Sequence, residues 1–210
     1  MDFLPLFPLS LVVYPGEKLR LHIFEPRYRQ LTDECLQQGT TFGIPPVVEQ
    51  EISTLATEVE VVSLDKKYPG GEMDITTRGK RRLKIEEFFR KSPGKLYPAA
   101  QVSWLPDINK QEPYLQNEVF KLLQSLHQVL GIPKRVVNVP EEVTAFEIGH
   151  HIGFNLQEEA ELLGFNQETE RLQYIHQHLE RILPIVTEAE RLKARARLNG
   201  HYKNLIPPEF

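Results

Sequence analysis

The sequence predicts an α+β chain, with a strand-rich half over residues 1–105 and a helical half over 106–210. Three observations predict it. Up to Trp104, apolar residues fall in short alternating or β-rich runs separated by Pro and Gly. Beyond it they recur three and four apart, the period of a helix. The 210 residues are 40% hydrophobic and 26% charged, a composition that builds a core of ordinary size and does not fit a disordered chain.

Taken in order, the strand-rich half offers candidate strands over 3–6, 11–14, 18–24, 41–44, 58–64, 72–77, 82–88 and 99–104. The clearest is 18–24. Leu19, Leu21 and Ile23 point one way, and Lys18, Arg20 and His22 the other, so one face is buried and one is wet. Pro15-Gly16 precedes it as a turn, and Pro69-Gly70-Gly71 and Arg78-Gly79-Lys80 read as turns further on. Many short strands with frequent turns suggest a small barrel or sandwich. One helix interrupts them. Pro26 suits its first position, Tyr28, Leu31, Cys35 and Leu36 form its apolar stripe, and Gly39 stops it. Cys35 reads as a small core residue.

In the second half, Leu115, Val119, Leu122, Leu126 and Val129 form one helical stripe, ending near Gly131. Pro140-Glu141-Glu142 reads as the opening of another helix, its acids at the positive end. Asn155 with Glu158 forms a capping box for a short helix ending near Gly164. Asn166 reads as the cap of a last helix, with the stripe Leu172, Ile175, Leu179 and Ile182. Pro184 ends or kinks it, and Asn199-Gly200 stops its continuation.

Charge narrows the classes of partner. The net charge is −4, and it is unevenly spread. Residues 1–105 carry 14 Lys/Arg against 14 Asp/Glu, and 106–210 carry 11 against 15. The stretch 141–170 holds eight glutamates and no Lys or Arg, which repels nucleic acid and anionic membranes. A single cysteine forbids an internal disulfide and suits a reducing cytoplasm. The apolar opening from Phe3 to Tyr14 is broken by Pro5 and Pro8, lacks a basic start, and is too short to span a bilayer. We therefore expect neither export nor membrane insertion.

Catalytic patterns are missing. No G-x-x-x-x-G-K-[ST] cradle, G-x-G-x-x-G fingerprint, G-x-S-x-G elbow or H-E-x-x-H pair occurs. Adjacent His150-His151 and the two-apart His176 and His178 split across helix faces, which leaves only a cross-helix pair such as His150 with His176 for a metal. The expectation is no enzyme, no cofactor and no metal. Two basic clusters remain, Arg78, Lys80, Arg81, Arg82 and Lys84 around the 78–80 turn, and Arg191, Lys193, Arg195 and Arg197 on the last helix. An RNA-binding alternative rests on Arg78, Lys80, Arg81 and Arg82. A polypeptide-binding reading rests on the turn after the clearest strand. There Glu25, Arg27, Tyr28 and Arg29 combine the residue types that anchor protein interfaces. The structural alternative puts Tyr28 in the core and pairs Glu25 with Arg27 or Arg29.

The run Leu4-Pro5-Leu6-Phe7-Pro8-Leu9, then Val12-Val13-Tyr14-Pro15-Gly16, then Leu19-Arg20-Leu21-His22-Ile23-Phe24-Glu25-Pro26-Arg27-Tyr28, resembles the Lon protease N-terminal (LON substrate-binding) domain family. Gly39 with Phe42-Gly43-Ile44, Gly70-Gly71, Ile75, Thr77 through Gly79 and Arg81-Arg82 extend the likeness, as do the segments 146–163 and 168–172. Ile52-Ser53-Thr54-Leu55-Ala56-Thr57 departs from it, lacking a glycine that the family's middle strand usually carries. The resemblance implies a PUA-like β-barrel followed by a helical bundle. It also implies recognition of polypeptide, as substrate or partner, in the context of protein degradation. The ATPase and Ser–Lys protease domains that follow in Lon proteases are not among these residues, so the resemblance implies a stand-alone, non-catalytic member. Its oligomeric state is left open.

Overall fold

In the computed structural model, which describes residues 2–110, 112–133 and 137–202 (198–202 by backbone alone), the chain divides into two compact units. The first comprises Met1–Asn109 with Gly153–Glu168, and the second Lys110–Ile152 with Thr169–Phe210. The segment Gly153–Glu168 thus belongs to the β-rich unit, although it lies in the helical half of the sequence.

The first unit contains β1 (Asp2–Pro5), β2 (Lys18–Ile23), α1 (Pro26–Gln38), β3 (Phe42–Ile44), β4 (Val47–Val48), β5 (Glu51–Ile52), β6 (Leu55–Lys67), β7 (Met73–Phe89) and β8 (Ala99–Trp104). Its main sheet is antiparallel and runs β1-β8-β7-β6-β3, with β2 pairing the first half of β7. Beyond β1, Leu6 bridges Gly43 in parallel, and Phe7 N–H donates to the Gly43 carbonyl at 2.8 Å. That contact joins the two ends of the sheet and makes it a barrel, whose interior holds Phe7, Ile23, Phe42, Ile44, Val59 and Ile75. β4 and β5 form a separate two-stranded ribbon. Its two-residue turn holds Glu49 and Gln50 at φ 50° and 71°, the twist that a short hairpin requires.

Two strand expectations need correction. The runs 72–77 and 82–88 are one long strand, β7, and Arg78-Gly79-Lys80 is not a turn. Gly79 is there for closeness: a Cβ on it would lie 2.2 Å from the Tyr14 carbonyl oxygen, and its N–H donates to the Glu17 carbonyl at 2.8 Å. The run 11–14 is buried but irregular. Tyr14 N–H donates to the Glu17 carboxylate at 2.8 Å, and the Thr57 hydroxyl donates to the Val13 carbonyl, so side chains replace a ladder.

Helix α1 begins at Pro26 and ends against Gly39, which is left-handed at φ 65°. Its buried face is Tyr28, Leu31, Thr32 and Cys35; Leu36 is exposed. Also in this unit, α4 (Leu156–Leu162) carries the expected box, Asn155 and Glu158 each bonding the other's backbone N–H.

The second unit holds α2 (Pro113–Leu130), α3 (Ala145–Ile148) and nearly all of α5 (Glu168–Tyr202). The buried stripe of α2 is Val119, Phe120, Leu123, Leu126 and His127, rotated from the expected one. Gln116 Nε2 donates to the Val143 carbonyl at 3.0 Å on that same face. Pro140-Glu141-Glu142 makes a single 3-10 turn, after which the chain at Val143 is extended and buried. In α5, Leu172, Ile175 and Leu179 are buried. The helix runs through both Pro184, which faces solvent, and Asn199-Gly200. Asn166 is not its cap; its side-chain oxygen lies 3.5 Å from Arg82.

Candidate functional site

β2 sets the site. Its alternation buries Ile23 and part of Leu19 and Leu21, and leaves Lys18, Arg20 and His22 in solvent. His22 lies opposite Asp74 of β7, with Nδ1 2.6 Å from the carboxylate. Tyr68 donates its hydroxyl to the other oxygen of Asp74 at 2.8 Å. Hydrogen bonds from His22 and then Tyr68 hold the Asp74 carboxyl below the usual aspartate range. The His22 ring meets Tyr68 edge-on at 5.8 Å and lies near-parallel to Phe24 at 6.2 Å. Phe24 itself is 61% exposed. The sequence reading missed it, although a period of two places it on the wet face with Lys18, Arg20 and His22.

The next four candidates separate into surface and core. Glu25, at the N-cap of α1, accepts from Arg27 Nε at 2.9 Å and pairs with its Nη2 at 2.7 Å. The Arg27 guanidinium lies 4.7 Å over the Tyr28 ring. Tyr28 is only 5% exposed and stacks on Phe7 at 3.7 Å, so it is a core residue and not a surface anchor. Burial pushes its hydroxyl up, while Arg27 pulls it down and Glu25 raises it. Arg29 Nη1 donates to the Gly70 carbonyl at 2.6 Å, tying α1 to the β6–β7 turn. The exposed site is therefore Phe24, His22, Glu25 and Arg27.

The basic run on β7 is not one patch. A register shift near Thr57 interrupts its alternation, leaving Lys80 and Arg81 both exposed and Arg82 and Leu83 both buried. Lys80 pairs with Glu60 at 3.4 Å. Arg81 donates to Glu58 at 2.6 Å and stacks 3.4 Å from the Trp104 ring. Arg82 is 1% exposed. Its Nη1 donates to the carbonyls of Leu163 and Phe165 at 2.6 and 2.7 Å, and its Nη2 to that of Pro106. Arg82 is thus an internal clamp and cannot reach a nucleic acid, and only Arg78 keeps an exposed guanidinium without a described ion pair.

The histidines and serines considered for chemistry bond to neighbouring groups. His176 faces Glu180 at 3.3 Å, and His178 Nε2 lies 3.1 Å from the Ile152 carbonyl. Ser63 and Ser103 donate to Asp65 and Glu86 at 2.6 Å, and Ser125 to the Lys121 carbonyl at 2.9 Å. Cys35 is buried; burial pushes its thiol up, against the hydrogen bond with Thr40. Among the described residues no helix is long and apolar enough to cross a membrane.

The fold has close counterparts. The crystal structure of a Lon N-terminal domain protein from Xanthomonas campestris matches 82% of this chain and 96% of its own, at 23% identity and a TM-score of 0.64. The N-terminal domain of the Mycobacterium avium complex Lon protease matches 85% and 98%, at 18% identity and a TM-score of 0.67. In sequence, the Lon protease of Brevibacillus choshinensis is 25% identical over 95% of this chain and 27% of its own length. That of Cytophaga hutchinsonii is 25% identical over 85% and 24%. The chain spans about a quarter of the length of the curated relatives it matches. A family model described as the ATP-dependent protease La (LON) substrate-binding domain matches residues 3–181. With its barrel, its opening motif and most of its length accounted for in this way, the chain belongs to the LON substrate-binding domain family.

Proposed function

We propose that the chain recognises extended or unfolded polypeptide at the end of β2, and that it neither cuts polypeptide nor hydrolyses ATP itself. It would serve protein degradation or quality control by presenting what it binds. The observation that carries the reading is Phe24. A phenylalanine 61% exposed, beside the His22 ring and next to the Glu25–Arg27 pair, is an apolar anchor with a polar rim. The family description, a substrate-binding domain, supports the same reading.

The test is anisotropy with fluorescent, carboxymethylated casein. Phe24→Ser weakens binding about tenfold, the usual consequence of truncating an interface anchor, and Arg27→Ala weakens it less. Equal affinity in wild type and Phe24→Ser removes the site from the reading. Casein cleavage by the purified chain, abolished by substituting one of its own serines, defeats the non-catalytic part.

A further inference from the structure

A groove in the second unit arises from the way α2 ends. Gly131 is left-handed at φ 65°. The Ile132 N–H returns to the His127 carbonyl at 2.9 Å, the bond that folds a chain back on the end of its helix. Ile132 and Pro133 thereby line, with Val137, a groove of about 320 Å³ whose other wall is α2. The α2 residues in it are Phe120, Leu123, Gln124, His127 and Gln128, which share one face at helical spacing. Phe120, Leu123 and Val137 are buried and make an apolar floor, and Ile132 is an exposed rim. His127 is only 7% exposed. Among the described residues its ring has no hydrogen-bond or ion-pair partner, and neither have the side chains of Gln124 and Gln128. Buried polar groups are ordinarily bonded. The described residues have one buried side-chain atom both sealed from solvent and unbonded, Arg82 Nε, so the His127 nitrogens keep contact with solvent through the groove.

An apolar floor with a few unused polar groups at its edge is the form of a binding pocket. No Asp, Glu, Lys or Arg lines this one, so a charged occupant finds no counter-charge there. A cavity of about 150 Å³ holds benzene, and about twice that volume suits two fused rings. We propose that the groove takes the indole of a tryptophan in a bound polypeptide. The ring packs on Phe120, Leu123 and Val137, its N–H donates to a ring nitrogen of neutral His127, and the Gln124 and Gln128 amides bond the flanking main chain. Imidazole supplies an acceptor that phenylalanine or leucine leaves unused. Tryptophan is highly buried in folded proteins, so a site for it selects chains that are unfolded. The proposal rests on the polypeptide-binding reading and names the side chain that is read.

The test uses labelled Gly/Ser peptides with one central residue, Trp, 1-methyltryptophan or Leu, and labelled casein as reference. Wild type binds the Trp peptide about tenfold more tightly than either of the others, because 1-methyltryptophan has no N–H and leaves His127 unpaired. His127→Leu binds the Trp and 1-methyltryptophan peptides equally, and Phe24→Ser keeps the wild-type preference. In wild type the ring nitrogen resonances of His127 shift as the unlabelled Trp peptide is added, a readout that does not depend on a variant's folding. Equal affinity of wild type for the three peptides, or an unmoved His127 ring, overturns the groove while casein binding still upholds the reading beneath it. A Trp preference lost in Phe24→Ser and kept in His127→Leu also overturns it, since the preference then belongs to β2. Free indole binding more tightly than the Trp peptide overturns the assignment to polypeptide. Failure of wild type to bind both casein and peptides overturns the two readings together.

Discussion

At the scale of single residues, Arg82 is a buried charge that ties backbone carbonyls of the first unit together. Buried at 1% exposure, it donates to three carbonyls on two separate stretches of chain, and it lies 3.9 Å from Asp107. Carbonyls facing a charged donor lose both the bond and their solvation when that donor goes. Arg82→Ala therefore lowers unfolding free energy by about 4 kcal/mol, in the range for removing one member of a buried charged network. Arg82→Lys loses about 2 kcal/mol, because one ammonium cannot reproduce a planar fork. Urea denaturation of both variants measures it. This role was not legible in the sequence. The run from Arg78 to Arg82 reads as uniformly basic, and the acceptors lie 24 to 84 positions away. Phe24 was legible, since the alternation that identifies β2 also assigns its side.

At the scale of elements, α1 is held to the loop before β8 by one carboxylate. Glu34 accepts from Lys95 at 2.8 Å, Tyr97 at 2.6 Å and Gln30 at 3.0 Å, and Gln30 in turn accepts from the Leu96 N–H. Burial raises the Glu34 carboxyl, and the hydrogen bonds from Lys95, Tyr97 and Gln30 outweigh it, leaving it below the usual glutamate range. A carboxyl depressed in the folded state stabilises fully above its unfolded value, and the contribution is lost as pH falls through its folded value. Wild type is therefore more stable than Glu34→Gln at pH 7, and the gap closes as pH falls below about 4. Urea midpoints from pH 3 to 7 measure the convergence. Element boundaries set by local chemistry were readable. Pro26 and Gly39 bound α1, and Asn155 with Glu158 opens α4, because each acts within a few residues. The stripe of α2 was misjudged because Leu122 and Leu123, and Val119 and Phe120, are adjacent apolar residues on that helix, and only the packing partner selects among them.

At the scale of the molecule, burial is unequal. β7 is paired by β6 from Met73 to Lys84 on one side, and on the other by β2 up to Arg78 and by β8 from Leu83. By contrast, α5 beyond Leu183 is largely exposed, with Ile185 at 65% and Leu192 at 54%. A helical stretch of that length without packing is marginal in water. Native-state hydrogen exchange finds the amides of 185–197 exchanging orders of magnitude faster than those of β7, which exchange with the global opening. Comparable protection in both segments contradicts the inequality. Alternation and helical period made the two architectures legible, but not which segments assemble together. That depends on contacts such as Ile108 with Asn166, where the N–H of one meets the carbonyl of the other at 2.9 Å.

The clamp around Arg82 also has a consequence in time. During synthesis the barrel strands, through Trp104, emerge well before Leu163, Phe165 and Asn166. At about 5–20 residues per second, the 84 positions from Arg82 to Asn166 take roughly 4–17 s to make. Throughout that interval a nascent barrel holds a guanidinium whose later acceptors do not yet exist. Closure of the first unit on the ribosome therefore waits until the whole of the second unit's first segment, Lys110–Ile152, has been made.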